Sequence, residues 1–551
     1  MADQNQNNLA IVTTREQPAI PIEQDNSNLL QTDFPDDFIF GSGERSCCSR
    51  WKRAEYWDDF TMRTPSRIDD GSNVVVAGDM YNRYKEDIRA MKAMGFEAYR
   101  FSIPWPRILP DGRPSAGINR KGIEYYNEVI DTVIAYGMKP FVTLFHWDLP
   151  DILQKEYHGL LSRKIVDDFK EYVELCFWEF GDRVKDWTTL SEPWTITTFG
   201  YVDGTFPPSK ASCPPEVAAA KLPAHESARS TDTAASVPIT RSYSDVKYDI
   251  NLLLCHATIV NIYRTKFQEF QKGQIRIVLN SHWAVPLDKN SPDDVAAVRR
   301  AVDFMLGWYL FKSCLVWSLP TKYDRFCSSR KSCTFNFSLQ ESEMLKGSLD
   351  FLGINYYMTY YAKNDTTPEG VGYHADMRVE FSNIDQSGLN IAPWGIYQKL
   401  VYIKNTYPNI PPIIITENGV ADQNDPKLTA KQACVDPVRV KYHQDHLANI
   451  LKAIKKNFYE YDTCSQDKVD VKGYFVWSWC DNFEWAQGYT LRFGINYVDF
   501  TKNQTRYPKN SAVWFAKFLR DEKEKTMGPP SNKRSIEENS ENVPEKRLKA
   551  T

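Results

Sequence analysis

No stretch of the 551-residue sequence approaches the roughly 18 consecutive apolar residues that a membrane-spanning helix needs. No membrane partner is expected. Charge of one sign is not in excess either: 67 Lys and Arg stand against 71 Asp and Glu, a formal balance of −4, and nothing in it suggests a nucleic-acid or membrane-surface protein. The 11 cysteines are odd in number and form no C-x-x-C pair, which argues against a disulfide framework and against a structural zinc site. Neither H-E-x-x-H nor a run of His and Asp at ligand spacing occurs, so no metal is expected. The first residues, MADQNQNNLAIVTTREQP, lack the basic start and apolar stretch of a secretory signal, and the chain is expected in the cytosol after synthesis. There is no internal repeat of fixed period.

What is abundant is apolar and aromatic. Hydrophobic residues make up 42%, enough for a large core, and 15 Trp and 30 Tyr offer flat apolar faces with a hydrogen-bonding edge, suited to sugars or fused rings. Residues 1–32 are polar and without apolar period, and read as a disordered leader. From FPDDFIFG onward, short apolar runs alternate with amphipathic segments. The runs begin at Phe38 to Gly41 and continue as AYRFSIPW, KPFVTLFHW, DWTTLSEP, QIRIVLNS, DFLGINYY, PIIITENG and VKGYFVWSW. Each except the last is followed by a plausible helix. The segment after Asn119 places Ile123, Tyr126, Ile130 and Ile134 on one face, and the segment after Ser162 places Ile165, Phe169, Tyr172, Val173, Cys176 and Phe180 on another. Eight βα units with strands too apolar to have a wet face predict an α/β chain forming a single (β/α)8 barrel with long active-site loops over residues 33–521. An open doubly wound sheet is the competitor, but no G-x-G-x-x-G turn follows the first run. Residues 207–245, rich in Pro, Ser, Thr and Ala, read as a flexible insertion, and 522–551 as a disordered basic tail.

Barrel chemistry sits where strands turn polar at their C-terminal ends. Those ends carry Arg100, His146 with Trp147, Glu192, Asn355 with Tyr357, Glu417, and Trp477 leading to Glu484 and Trp485. Any one of these alone is weak, since Glu417 could be a strand residue stopped by an Asn-Gly turn and Glu192 a loop residue before a proline. Converging on one rim, however, two carboxylates with Trp faces are what glycoside hydrolysis of a hexose requires.

The set YRFSIPWPR, FVTLFHWDLP, TLSEP, LGINYY, IIITENG and WSWCDNFEW with RFGINYVDF resembles glycoside hydrolase family 1, the retaining β-glucosidases, over about residues 33–520. Within the family it looks most like the plant alkaloid glucosidases of the strictosidine and raucaffricine type. The resemblance implies a (β/α)8 barrel, no cofactor and retention at the anomeric carbon. It also implies Glu417 as nucleophile, with Arg100 and Tyr357 supporting it, and Glu192 as acid/base. His146, Trp147, Ser191, Asn355, Trp477, Glu484, Trp485 and Phe493 match sugar-binding positions. Relatives in the group form homo-oligomers.

Three departures stand out. The stretch GSGERSCCSRWKRAEYWDDF, around residues 44–56, lacks the family's sugar-binding Gln, and Ser191 replaces an Asn whose amide would reach the sugar's 2-hydroxyl. Residues 310–337 leave the pattern altogether. A local shift of reading frame would explain both stretches, and genuine loop divergence is the alternative. The expected activity is removal of glucose from a bulky plant glucoside, a monoterpenoid indole alkaloid glucoside such as strictosidine. The alternative is a sugar-binding or assembly partner with little activity. In the tail, Lys533 and Arg534, then eleven residues, then Lys546, Arg547 and Lys549 resemble a two-part nuclear localisation signal. A nuclear or nucleocytoplasmic, unsecreted protein is expected.

Overall fold

The computed structural model describes residues 26, 28–45, 55–209, 244–310, 337–368, 373–407, 409–455 and 468–520. The first 25 residues of the expected leader, most of the 207–245 insertion, the bulk of both off-pattern stretches and the tail with Lys533, Arg534, Lys546, Arg547 and Lys549 lie outside them.

The eight apolar runs become eight strands: β1 (Ile39–Glu44), β2 (Ala98–Ser102), β3 (Lys139–Thr143), β4 (Asp186–Ser191), β5 (Gln274–Asn280), β6 (Phe351–Asn355), β7 (Ile413–Asn418) and β8 (Val471–Trp477). Each pairs in parallel with its neighbours in sequence, and β8 returns to β1 to close the barrel. The strands are buried on both sides because closure wraps one face around an interior and helices cover the other. Inside, Ala98, Phe141, Ile414 and Phe475 form a small separate core. Gly41 belongs to that layer by subtraction, since a Cβ on it would stand 2.3 Å from the Phe475 ring. Arg276 also points inward, its guanidinium 4.6 Å from the Phe141 ring and 3.0 Å from Asp186.

Outside, the stripe from Ile165 to Phe180 is buried as its period predicts, on the helix Lys164–Phe180. The helix Arg120–Ala135 differs by one residue. Val129 and Val133 are buried and Ile134 is 41% exposed, because at about 100° per residue the buried face centres on Tyr126 and Val133 and leaves Ile134 at its edge. Two further expectations change. The last strand does have a helix after it, Asn510–Phe518, whose Phe518 packs against Phe34 and Phe40 beneath β1. The docked chain also starts before residue 33: Asn26 donates to Asp445 at 2.8 Å, and Leu29 packs on the main core.

The loops above the barrel have structure of their own. Trp283–Pro286, Thr359–Asn364 and Val379–Asn383 form a three-stranded sheet between β5 and the helix Pro393–Thr406. The helix Pro292–Val302 covers this sheet, packing Ala297 and Ala301 against Ala284 and Ala362. After β8 the chain is tied down by Asp481, wholly buried, which accepts from Arg492 at 2.7 Å, Lys509 at 3.0 Å and the backbone N–H groups of Gly494 and Val498. Asp481→Ala would leave two buried cations short of their shared counter-charge. A loss of about 3–5 kcal/mol is expected, read as a lower urea midpoint for the variant.

Candidate active site

Glu417 lies on a strand end, Glu192 directly follows one, and Glu484 stands in the loop after β8. Glu417 is the fifth of six residues in β7, opposite Asn355 of β6. Its Oε1 accepts from Arg100 at 2.5 Å, and its Oε2 accepts from the Tyr357 hydroxyl at 2.6 Å. Glu417 is 3% and Arg100 2% exposed, so this ion pair meets little screening. Burial and then the Glu417 charge hold the Tyr357 phenol well above its usual range, which keeps it a donor.

Glu192 follows β4 in the left-handed region, with φ 49°, and precedes Pro193 at the start of a short helix. Its N–H donates to the Val278 carbonyl of β5 at 2.9 Å, anchoring the turn. The carboxyl has neutral partners: Asn355 Nδ2 donates to Oε1 at 2.6 Å, and Thr195 Oγ1 donates to Oε2 at 2.8 Å. Asn355 is itself oriented by Thr416, whose hydroxyl donates to its Oδ1 at 2.7 Å. Burial first, and then the charge of Glu417, push the Glu192 carboxyl up to about 8. One carboxylate is thus clamped by a cation while the other is held among neutral donors in its neighbour's field. Such an arrangement supplies a charged nucleophile and a proton donor near neutral pH.

Around the pair, His146 is 3% exposed, with ring centroids of Trp477 and Trp485 at 6.0 and 5.8 Å. Burial, then Arg100 and Arg45, hold it well below the usual imidazole range. A neutral ring can both donate to and accept from a hydroxyl. Glu484, after β8, is partly exposed, and its side-chain carboxyl has no hydrogen bond to the described residues. Burial and the charge of Glu417 raise its carboxyl to about 8. Hydroxyl donors from a polyol would favour its ionised form. Phe493 lies edge-on to Tyr357 at 5.9 Å.

Two expected sugar ligands are already committed within the protein. Trp147 donates its indole N–H to the Ser191 carbonyl at 2.8 Å and stands 4.0 Å from Trp485, and Ser191 Oγ accepts from Arg100 at 3.1 Å. Ser191 therefore belongs to the clamp on Arg100. The sequence reading passed over Arg45, whose guanidinium lies 3.8 Å over the Trp485 ring and pairs with buried Glu55 at 3.4 Å. It also passed over Thr195 and Thr416, although their offsets of +3 from Glu192 and −1 from Glu417 are the signal that could have found them.

Comparison with known proteins shows the family and the fold. Glycosyl hydrolase family 1 matches over residues 30–524. Raucaffricine-O-β-D-glucosidase of Rauvolfia serpentina is 43% identical over 96% of this chain and 99% of its own. Ipecac alkaloid β-glucosidase 9 of Carapichea ipecacuanha is 42% identical over 97% and 98%. Among solved structures, a mutant of the rice β-glucosidase Os3BGlu6 in a covalent complex with Glc superposes with a TM-score of 0.78 and 36% identity, covering 89% of this chain and 100% of that one.

The electrostatics can be tested directly. Because the charge of Glu417 raises Glu192, Glu417→Gln should lower the Glu192 pKa toward the ordinary carboxylate range. Carbon-13 NMR titration of labelled glutamates, with Glu192 assigned by its own substitution, should show the resonance moving to a lower midpoint.

Proposed function

Because the chain belongs to glycosyl hydrolase family 1 and is a hydrolase of the β-glucosidase type, we propose that it removes glucose from a plant alkaloid glucoside by double displacement at Glu417 and Glu192. The observation that carries the mechanism is the opposite treatment of the two carboxylates. Arg100 and Tyr357 each donate to one oxygen of Glu417 and aim it. It attacks the anomeric carbon while Glu192 gives its proton to the departing oxygen, so the C–O bond to the aglycone breaks as the glucosyl ester forms. Esterification removes the Glu417 charge that had raised Glu192. The latter then falls in pKa and takes a proton from water, which attacks the same carbon and releases glucose with its configuration retained. The rice relative's covalent complex with Glc supports this route.

The alkaloid aglycone rests on the relatives, two of which are glucosidases of ipecac alkaloids or ipecoside and one of raucaffricine. A monoterpenoid indole alkaloid glucoside such as strictosidine is the finer reading. Rings continuing from Trp485, namely Phe206, Phe199 and Trp194 at 5.0 to 5.9 Å from one to the next, supply apolar faces for a fused-ring aglycone. A sugar-binding partner without activity fits less well, since the clamp on Glu417 and both donors to Glu192 are in place.

Glu417→Gln should abolish turnover with the fold intact by circular dichroism. Glu192→Gln should cut the rate on a phenyl β-glucoside by about 100 to 10,000-fold and on a dinitrophenyl β-glucoside far less, because only the poor leaving group needs the acid. Equal losses would remove Glu192 from that role. Residence in the nucleus is proposed from the two basic clusters of the tail, and deleting residues 533–549 from a fluorescent fusion should abolish nuclear accumulation.

A further inference from the structure

Lys399 has no part in the chemistry above, yet it lies on the helix Pro393–Thr406 and is only 1% exposed. Among the described residues it has no ion-pair partner. Its Nζ donates to the Ser281 carbonyl at 2.5 Å and lies 5.4 Å from the centre of the Tyr356 ring. A buried cation without a carboxylate beside it is costly, so its surroundings must offset the charge. The helix is packed close at this point. A Cβ on Gly395 would stand 2.2 Å from Thr359 Oγ1 and 2.4 Å from the Tyr356 hydroxyl, so the helix is pressed against the loop after β6.

Ser281 is the point where both supports of Glu192 meet. The residue before it, Asn280, donates to Thr195 Oγ1 at 3.3 Å, and Thr195 donates to Glu192. The Ser281 N–H donates to the carbonyl of Asn355 at 3.4 Å, and Asn355 donates to the other oxygen of Glu192. Fixing the Ser281 carbonyl therefore fixes the strand ends that hold both donors.

We infer that Lys399 is a positioning residue for Glu192, its side chain anchoring the junction of β5 and β6 from which both donors to that carboxyl are held. The inference rests on the reading of Glu192 as acid/base. Burial lowers Lys399 to about 7 while the Glu192 charge opposes that fall.

The test is the leaving-group dependence of kcat/KM, measured on the full chain with a phenyl and a dinitrophenyl β-glucoside. Lys399→Met leaves the Ser281 carbonyl without its donor and should cost the phenyl glucoside about 10 to 100-fold and the dinitrophenyl glucoside far less, because only the poor leaving group needs an aimed acid. Lys399→Arg keeps a long donor for Ser281 and should recover most of the loss. Equal losses on both glucosides in Lys399→Met, with melting temperature preserved, would show a structural role only and overturn the inference. Should Lys399→Met fail to fold, Lys399→Gln decides by the same criterion. Glu192→Gln should show the same split between the two glucosides, and its absence there would sink the assignment of Glu192 rather than the placement of Lys399.

Discussion

A guanidinium carried into a water-poor barrel mouth cannot shed its charge, so something beside it must carry the opposite one. Arg100, on β2, finds it in Glu417 on β7, across the barrel interior, and spends its second nitrogen on Ser191 of β4. Three strands are thereby held to one geometry by one side chain. Glu417 is fixed beside that permanent charge, and its own charge adds to burial in raising the proton affinity of Glu192. The site is a hierarchy of charges with a single permanent one at its root. Tyr357, Asn355 and Thr195 refine directions that Arg100 makes possible.

The hierarchy also explains the neutral groups. Two guanidinium groups near His146 add to burial in keeping its ring uncharged, and the field of Glu417 adds to burial in raising Glu484. At the mouth, therefore, His146 is held neutral and Glu484 is held toward its neutral form. A sugar brings donors and acceptors in equal measure, and a site of this kind adapts its protons to them.

Most of this was legible in the sequence because the barrel writes itself twice. Strands buried on both faces leave uninterrupted apolar runs, and their C-terminal ends are where polar residues break the run, so Arg100, His146, Glu192, Asn355 and Glu417 announce both a strand and a site. What stayed hidden depends on contacts between distant segments. Arg45 lies in a stretch that has lost its family pattern, and its place over Trp485 comes from the packing of β1 against the loop after β8. Lys399 reads as an ordinary helical lysine, since nothing in PWGIYQKLVYIK says that its nitrogen will meet a carbonyl 118 positions away. Trp147 was legible as a ring at the mouth, but the commitment of its N–H to the Ser191 carbonyl was not. The three-stranded sheet above β5 and β6 escaped for the same reason: its pairing is non-local, and short strands such as Trp283–Pro286 carry little period.

The two ends of the docked chain meet beneath the barrel, where Phe34, Phe38 and Phe40 from the entry to β1 pack with Phe518 from the last helix, and Lys455 reaches Asp33 at 3.4 Å. Strand direction puts that cluster at the opposite end from the carboxylates. A carrier, bead or electrode coupled at either end would consequently leave the mouth facing free solution, and an immobilised preparation would keep its access to glucosides too bulky to reach a catalyst tethered by its working face.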